Sequence, residues 1–240
     1  MKKILLILII LIVLGIGGYF LYNFINKDNK SIDALNFKDE YEAINGIEND
    51  NNTNKYRTIS IPEDNPIVYV NEDDILNMIK NKETFAVYFG YAKCPWCRSV
   101  IEELIKVSND LGLEKLYYVN IENIRDVVDL DINNYPIFIS KGTDGYRKLL
   151  DKLSGVLNDY TLTDKDGNEI QTGEKRIYAP DVVTVIEGKV TSMEMGISDL
   201  QTDAYMELTN EMKKDIYKRF EEILIPVVEK LNTCMDNEGC

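Results

Sequence analysis

Residues 84–89, Thr-Phe-Ala-Val-Tyr-Phe, form an almost wholly apolar run, and Cys94-Pro-Trp-Cys97 follows it after a short loop. A strand that is apolar on both faces has to be covered on both faces, as the central strand of an α/β sheet is. Beyond the second cysteine, Val100, Ile101, Leu104, Ile105 and Leu111 recur at helical spacing, and Gly112 suits the C-terminal cap. The two cysteines therefore stand between a buried strand and the first turn of a helix.

The neighbouring sequence extends this unit in both directions. Ile67 to Val70 is a short β-branched and aromatic run, predicted as a strand. Asn71 can cap a helix with Asp74 three residues on, and Ile75, Leu76, Met78 and Ile79 mark its apolar face. Residues 115–121 read as a third strand. Alternating strands and helices with short connections imply a βαβ unit with a parallel core. A middle stretch, residues 122–176, follows, with one helix predicted at 143–157 and a turn at 165–168. Residues 182–186 and 190–195 read as an antiparallel pair joined at Glu187-Gly-Lys189. A long helix is predicted from 209 to 231, with Met212, Ile216, Phe220 and Ile223 on its buried stripe and a kink at Pro226.

Placed this way, Cys94 lies at the positive end of the helix dipole, which favours its thiolate, the attacking species in disulfide exchange. Cys97, one turn inward, is the resolving thiol. Pro95 sits at the first helical position, where no N–H partner is needed. Arg98 is expected to add positive charge near the pair. Other readings of the motif are a structural disulfide and a zinc site, the latter with Cys234 and Cys240 as its third and fourth ligands. The five residues between Cys234 and Cys240 make a longer spacing than the usual zinc knuckle. Haem attachment requires histidine after the second cysteine, and residue 98 is arginine.

The chain of 240 residues contains no histidine, which rules out Ser-His-Asp and Cys-His catalytic pairs. Its net charge of −14, without a basic stripe, speaks against nucleic acid as a partner. After Lys2 and Lys3, residues 4–22 are almost entirely apolar, long enough to span about 30 Å of hydrocarbon as a helix. The positive-inside rule then places the rest of the chain outside the cytoplasm. An uncleaved anchor is the expectation and a cleaved signal peptide the rival. In an oxidising compartment Cys234 and Cys240 are expected to pair, as a local staple or as a relay dithiol.

The stretch Phe85-Ala-Val-Tyr-Phe-Gly-Tyr-Ala-Lys-Cys-Pro-Trp-Cys97 resembles the active-site strand and loop of the thioredoxin-like family, and the order of elements over residues 65–232 resembles that fold. A narrower likeness is to membrane-tethered thioredoxin-like proteins and bacteriocin-transport accessory proteins of Gram-positive bacteria. The resemblance implies an α/β thioredoxin-like fold, a central mixed sheet flanked by helices with an enlarged middle region, preceded by one transmembrane helix. It implies a cis-proline facing the cysteines; Pro180, in Tyr178-Ala-Pro-Asp, is the candidate and Pro136 the rival. Two departures stand out. Tyr88 occupies the place of a buried Asp that often shuttles protons in the family, and Tyr118 the place of a frequent Lys.

The expected organisation is an anchor at 1–26, a polar linker at 27–64, the domain at 65–232 and a cysteine-containing tail at 233–240. The expected function is that of a membrane-anchored extracytoplasmic thiol–disulfide oxidoreductase. It would act on protein thiols and disulfides through Cys94 and Cys97, with Pro95, Trp96 and Pro180 in support and without cofactor or metal. The alternative is a binding module for a peptide or transporter partner in which the disulfide is merely structural.

Overall fold

The computed structural model describes residues 31–49 and 53–236. The elements run α1 (Ile32–Glu42), β1 (Ile67–Tyr69), α2 (Glu72–Lys80), β2 (Phe85–Gly90), α3 (Pro95–Asp110), β3 (Leu116–Asn120), β4 (Val127–Leu130), β5 (Pro136–Ser140), α4 (Asp144–Leu153), β6 (Asp159–Thr163), β7 (Glu169–Lys175), β8 (Asp181–Ile186), β9 (Lys189–Glu194) and α5 (Asn210–Asp236). Among the described residues five strands form one mixed sheet in the order β1-β3-β2-β8-β9, and β4–β5 and β6–β7 form separate two-stranded sheets. Strand β3 runs parallel to both β1 and β2, while β8 is antiparallel to β2 and β9.

Every residue of β2 is buried. Its pleat divides the core in two, because successive side chains point to opposite faces. Ala86 and Tyr88 pack with residues of α1, α3 and α5. Phe85, Val87 and Phe89 pack with α2 and α4. Helix α2 starts at a capping box. Asn71 Oδ1 accepts from the Asp74 N–H at 3.0 Å, and Asp74 Oδ2 accepts from the Asn71 N–H at 2.9 Å. Helix α3 ends at Leu111, and Gly112 follows at φ +72°, the left-handed geometry that glycine adopts without steric cost.

Three expectations are corrected. The fold class included a membrane-spanning helix, but no helix among the described residues is long and apolar enough to cross a membrane. The 27-residue α5 is the longest of them, and it carries charges such as Lys213, Asp215, Arg219 and Glu222 along its length. What the structure supports is a mixed α/β fold with a five-stranded sheet, and the anchor expected at 1–26 lies outside the described residues.

Next, the stretch expected as a polar linker at 27–64 is packed over its described residues, 31–49 and 53–64. Helix α1 buries Ala34, Phe37 and Tyr41 at i, i+3 and i+7, and Ile59 and Ile61 are buried behind it. Last, α5 continues through Pro226 and on to Asp236, past the expected end of the domain at 232. Leu224, Val227 and Val228 are buried around the proline, so packing outweighs the one hydrogen bond that the ring removes. Cys234 thus falls within helical backbone, and Cys240 lies outside the described residues.

The middle region holds the expected helix as α4 and the expected turn at 165–168, and in addition two hairpins, β4–β5 and β6–β7, that the sequence did not mark. Pro136 opens β5 opposite Leu130. The turn at 165–168 joins β6 to β7, with Asp164 Oδ1 accepting from the N–H groups of Asp166 and Asn168.

Helix α1 distinguishes a packed segment from a tether by stability. Phe37→Ala should lower the unfolding free energy by about 3–5 kcal/mol in urea denaturation. A spacer would show no change.

Candidate functional site

Cys94 is the N-cap residue of α3, and Pro95 is its first helical residue. The Cys94 Sγ accepts a hydrogen bond from the Cys97 N–H at 3.2 Å, so an orphan donor of the first turn points at the sulfur. As a thiol, Cys94 Sγ also lies 3.1 Å from the Ala179 carbonyl oxygen, to which it donates. Ala179 and Pro180 are joined by a cis peptide bond. Strand β8 begins at Asp181, paired with Phe89, so the turn before it comes to the same end of the sheet as the cysteines. The structure thus brings Cys94, Pro95, Cys97 and Pro180 together. Pro136, in the β4–β5 hairpin, carries no cis bond. Neither cysteine is in a disulfide in this structure; Cys94 is 3% exposed and Cys97 is fully buried. Trp96, half-buried, rests against the core beside them.

The two thiols are driven in opposite directions. Burial disfavours the Cys94 thiolate. The hydrogen bonds from Cys97 and the Arg125 guanidinium outweigh that and hold its pKa below the ordinary thiol value. Burial and the adjacent Cys94 push the Cys97 thiol well up. Of the two, Cys94 is therefore the thiol that ionises more readily and Cys97 the one that holds its proton.

The cation near Cys94 is not the one expected. Arg98 is fully buried and turned away. Its Nε and Nη2 donate to the Arg57 carbonyl at 3.0 and 2.6 Å, and Nη1 donates to the Tyr41 and Ala92 carbonyls at 2.7 and 3.3 Å. Nη2 also donates to Asn45 Oδ1. These contacts fasten the segment after α1 onto the helix that carries the cysteines. The role expected of Arg98 falls to Arg125, in the loop after β3. It donates to the Tyr91 hydroxyl at 3.2 Å, and its guanidinium lies 5.2 Å from the Tyr91 ring centre.

Behind Cys97 stands a tyrosine cluster. Tyr88 and Tyr118 stack at 5.5 Å between ring centres. The Tyr88 hydroxyl bonds the Cys97 thiol and, at 2.8 Å, the Tyr41 hydroxyl. The Tyr118 hydroxyl and the Asn120 amide each donate to Glu40 Oε1 at 3.1 Å, and the Tyr69 hydroxyl donates to Glu40 Oε2. Tyr41 and Glu40 both come from α1. Sequence reading missed them because only Ala34, Phe37 and Tyr41 mark a helical stripe in an otherwise polar stretch.

Asp181 is buried beside Pro180. Its Oδ2 accepts from the Tyr178 N–H at 2.7 Å, its Oδ1 has no hydrogen-bond partner among the described residues, and burial pushes its pKa well up. Among the described residues no group of His, Cys, Asp and Glu side chains is arranged to hold a metal ion. A cleft lined by Lys82, Gly112 and Lys230 among others lies at the opposite end of β2 from Cys94.

No protein-family model and no curated protein matches the chain.

The two arginines separate by experiment. Removing a cation raises the pKa of a neighbouring thiol, so Arg125→Gln should move the pH profile of Cys94 alkylation to higher pH and slow the reaction at neutral pH. Arg98→Gln strands buried carbonyls and should cost about 3 kcal/mol of stability, with the alkylation profile in place. A profile shift for Arg98→Gln equal to that for Arg125→Gln would contradict the assignment.

Proposed function

We propose that the protein is a thiol–disulfide oxidoreductase that acts on protein disulfides through Cys94 and Cys97. One observation carries this reading. The Cys94 sulfur sits at the start of α3, receives the Cys97 N–H, and has a pKa below the ordinary thiol value although it is almost entirely buried. A structural cysteine in apolar surroundings has its pKa raised instead. The likeness of residues 85–97 to the thioredoxin-like family supports the same reading.

In the reducing direction the Cys94 thiolate attacks a substrate disulfide. A Cys94–substrate disulfide forms and one substrate thiolate leaves. Cys97 then gives up its proton and attacks Cys94 Sγ, which closes the Cys94–Cys97 disulfide and releases the second substrate sulfur as thiolate. The substrate gains two electrons and the protein loses two. The reverse sequence oxidises a substrate dithiol, and in either direction a second thiol or disulfide partner restores the starting state. The proposal includes a site of action outside the cytoplasm, on the strength of Lys2, Lys3 and the apolar run after them.

The β4–β5 hairpin favours a second reading. Ile132, Tyr135, Ile137, Phe138 and Ile139 are all exposed there. Such a patch suits a module that holds a protein partner, with the dithiol incidental.

Reduced protein should catalyse the reduction of insulin disulfides, with activity lost in Cys94→Ser. Cys97→Ser should instead accumulate a mixed disulfide at Cys94. Insulin turnover unchanged in Cys94→Ser would overturn the enzymatic reading, and inert wild-type protein that still binds exported proteins would favour the module. Trp96, the only tryptophan, gives an independent check. Its fluorescence should change on adding dithiothreitol, and not in the Cys94→Ser, Cys97→Ser double variant.

A further inference from the structure

Cys97 must become a thiolate in the second step, yet it is fully buried, and the groups that favour its ionised form are the Tyr88 phenol and the Tyr91 backbone N–H. The Tyr88 hydroxyl bonds the Cys97 thiol on one side and the Tyr41 hydroxyl on the other, and both rings are fully buried. A tyrosine hydroxyl has one proton to donate. When Tyr88 donates to a Cys97 thiolate, that proton is committed, and Tyr41 has to be the donor in the 2.8 Å contact. The two hydroxyls then point in one direction, towards the sulfur.

Resting on the reading of Cys94 and Cys97 as an exchanging dithiol, we propose that Tyr88 is a catalytic residue that stabilises the Cys97 thiolate during resolution of the mixed disulfide, with Tyr41 as the positioning residue that orients its hydroxyl.

The step balances. The Cys97 S–H bond breaks and its proton goes to the substrate thiolate released first. The Cys97–Cys94 S–S bond forms, the Cys94–substrate S–S bond breaks, and the second substrate sulfur leaves with the electron pair. Tyr88 is unchanged at the end. Burial holds the pKa of both phenols well above the ordinary value, so Tyr88 and Tyr41 keep their protons as the thiolate forms. A fixed donor in a buried site is worth more than the same donor in solvent, because nothing has to reorient as charge develops. The titratable groups that influence Cys97 are Cys94 of α3, Tyr41 of α1, Tyr88 of β2, Tyr118 of β3 and Tyr91 of the loop between β2 and α3.

Two features outside the hydroxyl pair hold Tyr88 in place. Gly90 is on the same face of β2, and a Cβ there would overlap the Tyr88 ring and hydroxyl. The Tyr41 backbone is held in turn, because its carbonyl accepts from Arg98 Nη1 at 2.7 Å. Arg98 follows Cys97 in the chain, so the residue next to the thiol fastens the helix that supplies the outer hydroxyl.

The test uses the full chain with glutathione disulfide-linked to Cys94, and follows glutathione release. Tyr88→Phe should slow release about tenfold or more, the loss expected for one hydrogen bond to a charged sulfur. It should also move the Cys97 titration, read by thiolate absorbance in the reduced protein, to higher pH. Gly90→Ala, which keeps the hydroxyl but displaces it, should shift both readouts in the same direction. Tyr41→Phe should give a smaller shift, and Tyr41→Phe with Tyr88→Phe no more than Tyr88→Phe alone, since Tyr41 acts through Tyr88. Release and Cys97 titration at wild-type values in Tyr88→Phe would overturn the proposal, as would additive effects of the two tyrosines. Should Tyr88→Phe not fold, Tyr41→Phe decides: wild-type values in both readouts overturn the proposal. Failure of wild-type protein to turn over insulin would count against the function alone, because the Cys97 titration reads Tyr88 without any substrate.

Discussion

Strand β2 is buried along its whole length, and the rest of the architecture follows from covering both of its faces. One face takes α2 and α4, and the other takes α1, α3 and α5. Because side chains alternate along a strand, Tyr88 must face the cysteine helix while Val87 and Phe89 face away. A polar-ended residue on that face has to satisfy its hydroxyl inside the core. Tyr88 does so through Cys97 and Tyr41. The covering of the sheet and the surroundings of the inner thiol are therefore one arrangement.

Arg98 joins this arrangement to the segment before the sheet. A buried guanidinium is costly unless its donors are satisfied, and here they meet three backbone carbonyls and the side chain of Asn45. Those acceptors lie in α1, in the segment after it and in the loop before α3. The cation is thereby spent on holding α1 against the cysteine helix. Arg125, half-exposed in the loop after β3, is the cation that bears on Cys94.

The two cysteines differ because their surroundings differ in kind. Cys94 has a backbone N–H and a cation in reach and only a sliver of exposure. Cys97 is fully buried, with phenols and the Tyr91 backbone N–H around it. The hydrogen bonds and the cation at Cys94, set against full burial at Cys97, give two thiols three residues apart opposite shifts in pKa.

The sequence by itself determined the local features. The apolar run before Cys94, the helical spacing after Cys97, the Asn71–Asp74 capping box and the glycine after α3 all act within a few residues, so they are legible as written. The pairing of β8 with β9 was legible for the same reason. What only the tertiary structure decided were contacts between residues far apart in the chain. The stripe of Ala34, Phe37 and Tyr41 is too sparse to stand out from its polar neighbours, and α1 is held by what it packs against. The direction of Arg98 depends on carbonyls at positions 41, 57 and 92, which no spacing rule connects. Exposed β5 lacks the alternation that marks a half-buried strand, so its hairpin left no pattern to read. Tyr88 was visible as a departure from a resemblance, but its bond to Tyr41 spans 47 positions, and only the folded chain brings the two hydroxyls to 2.8 Å.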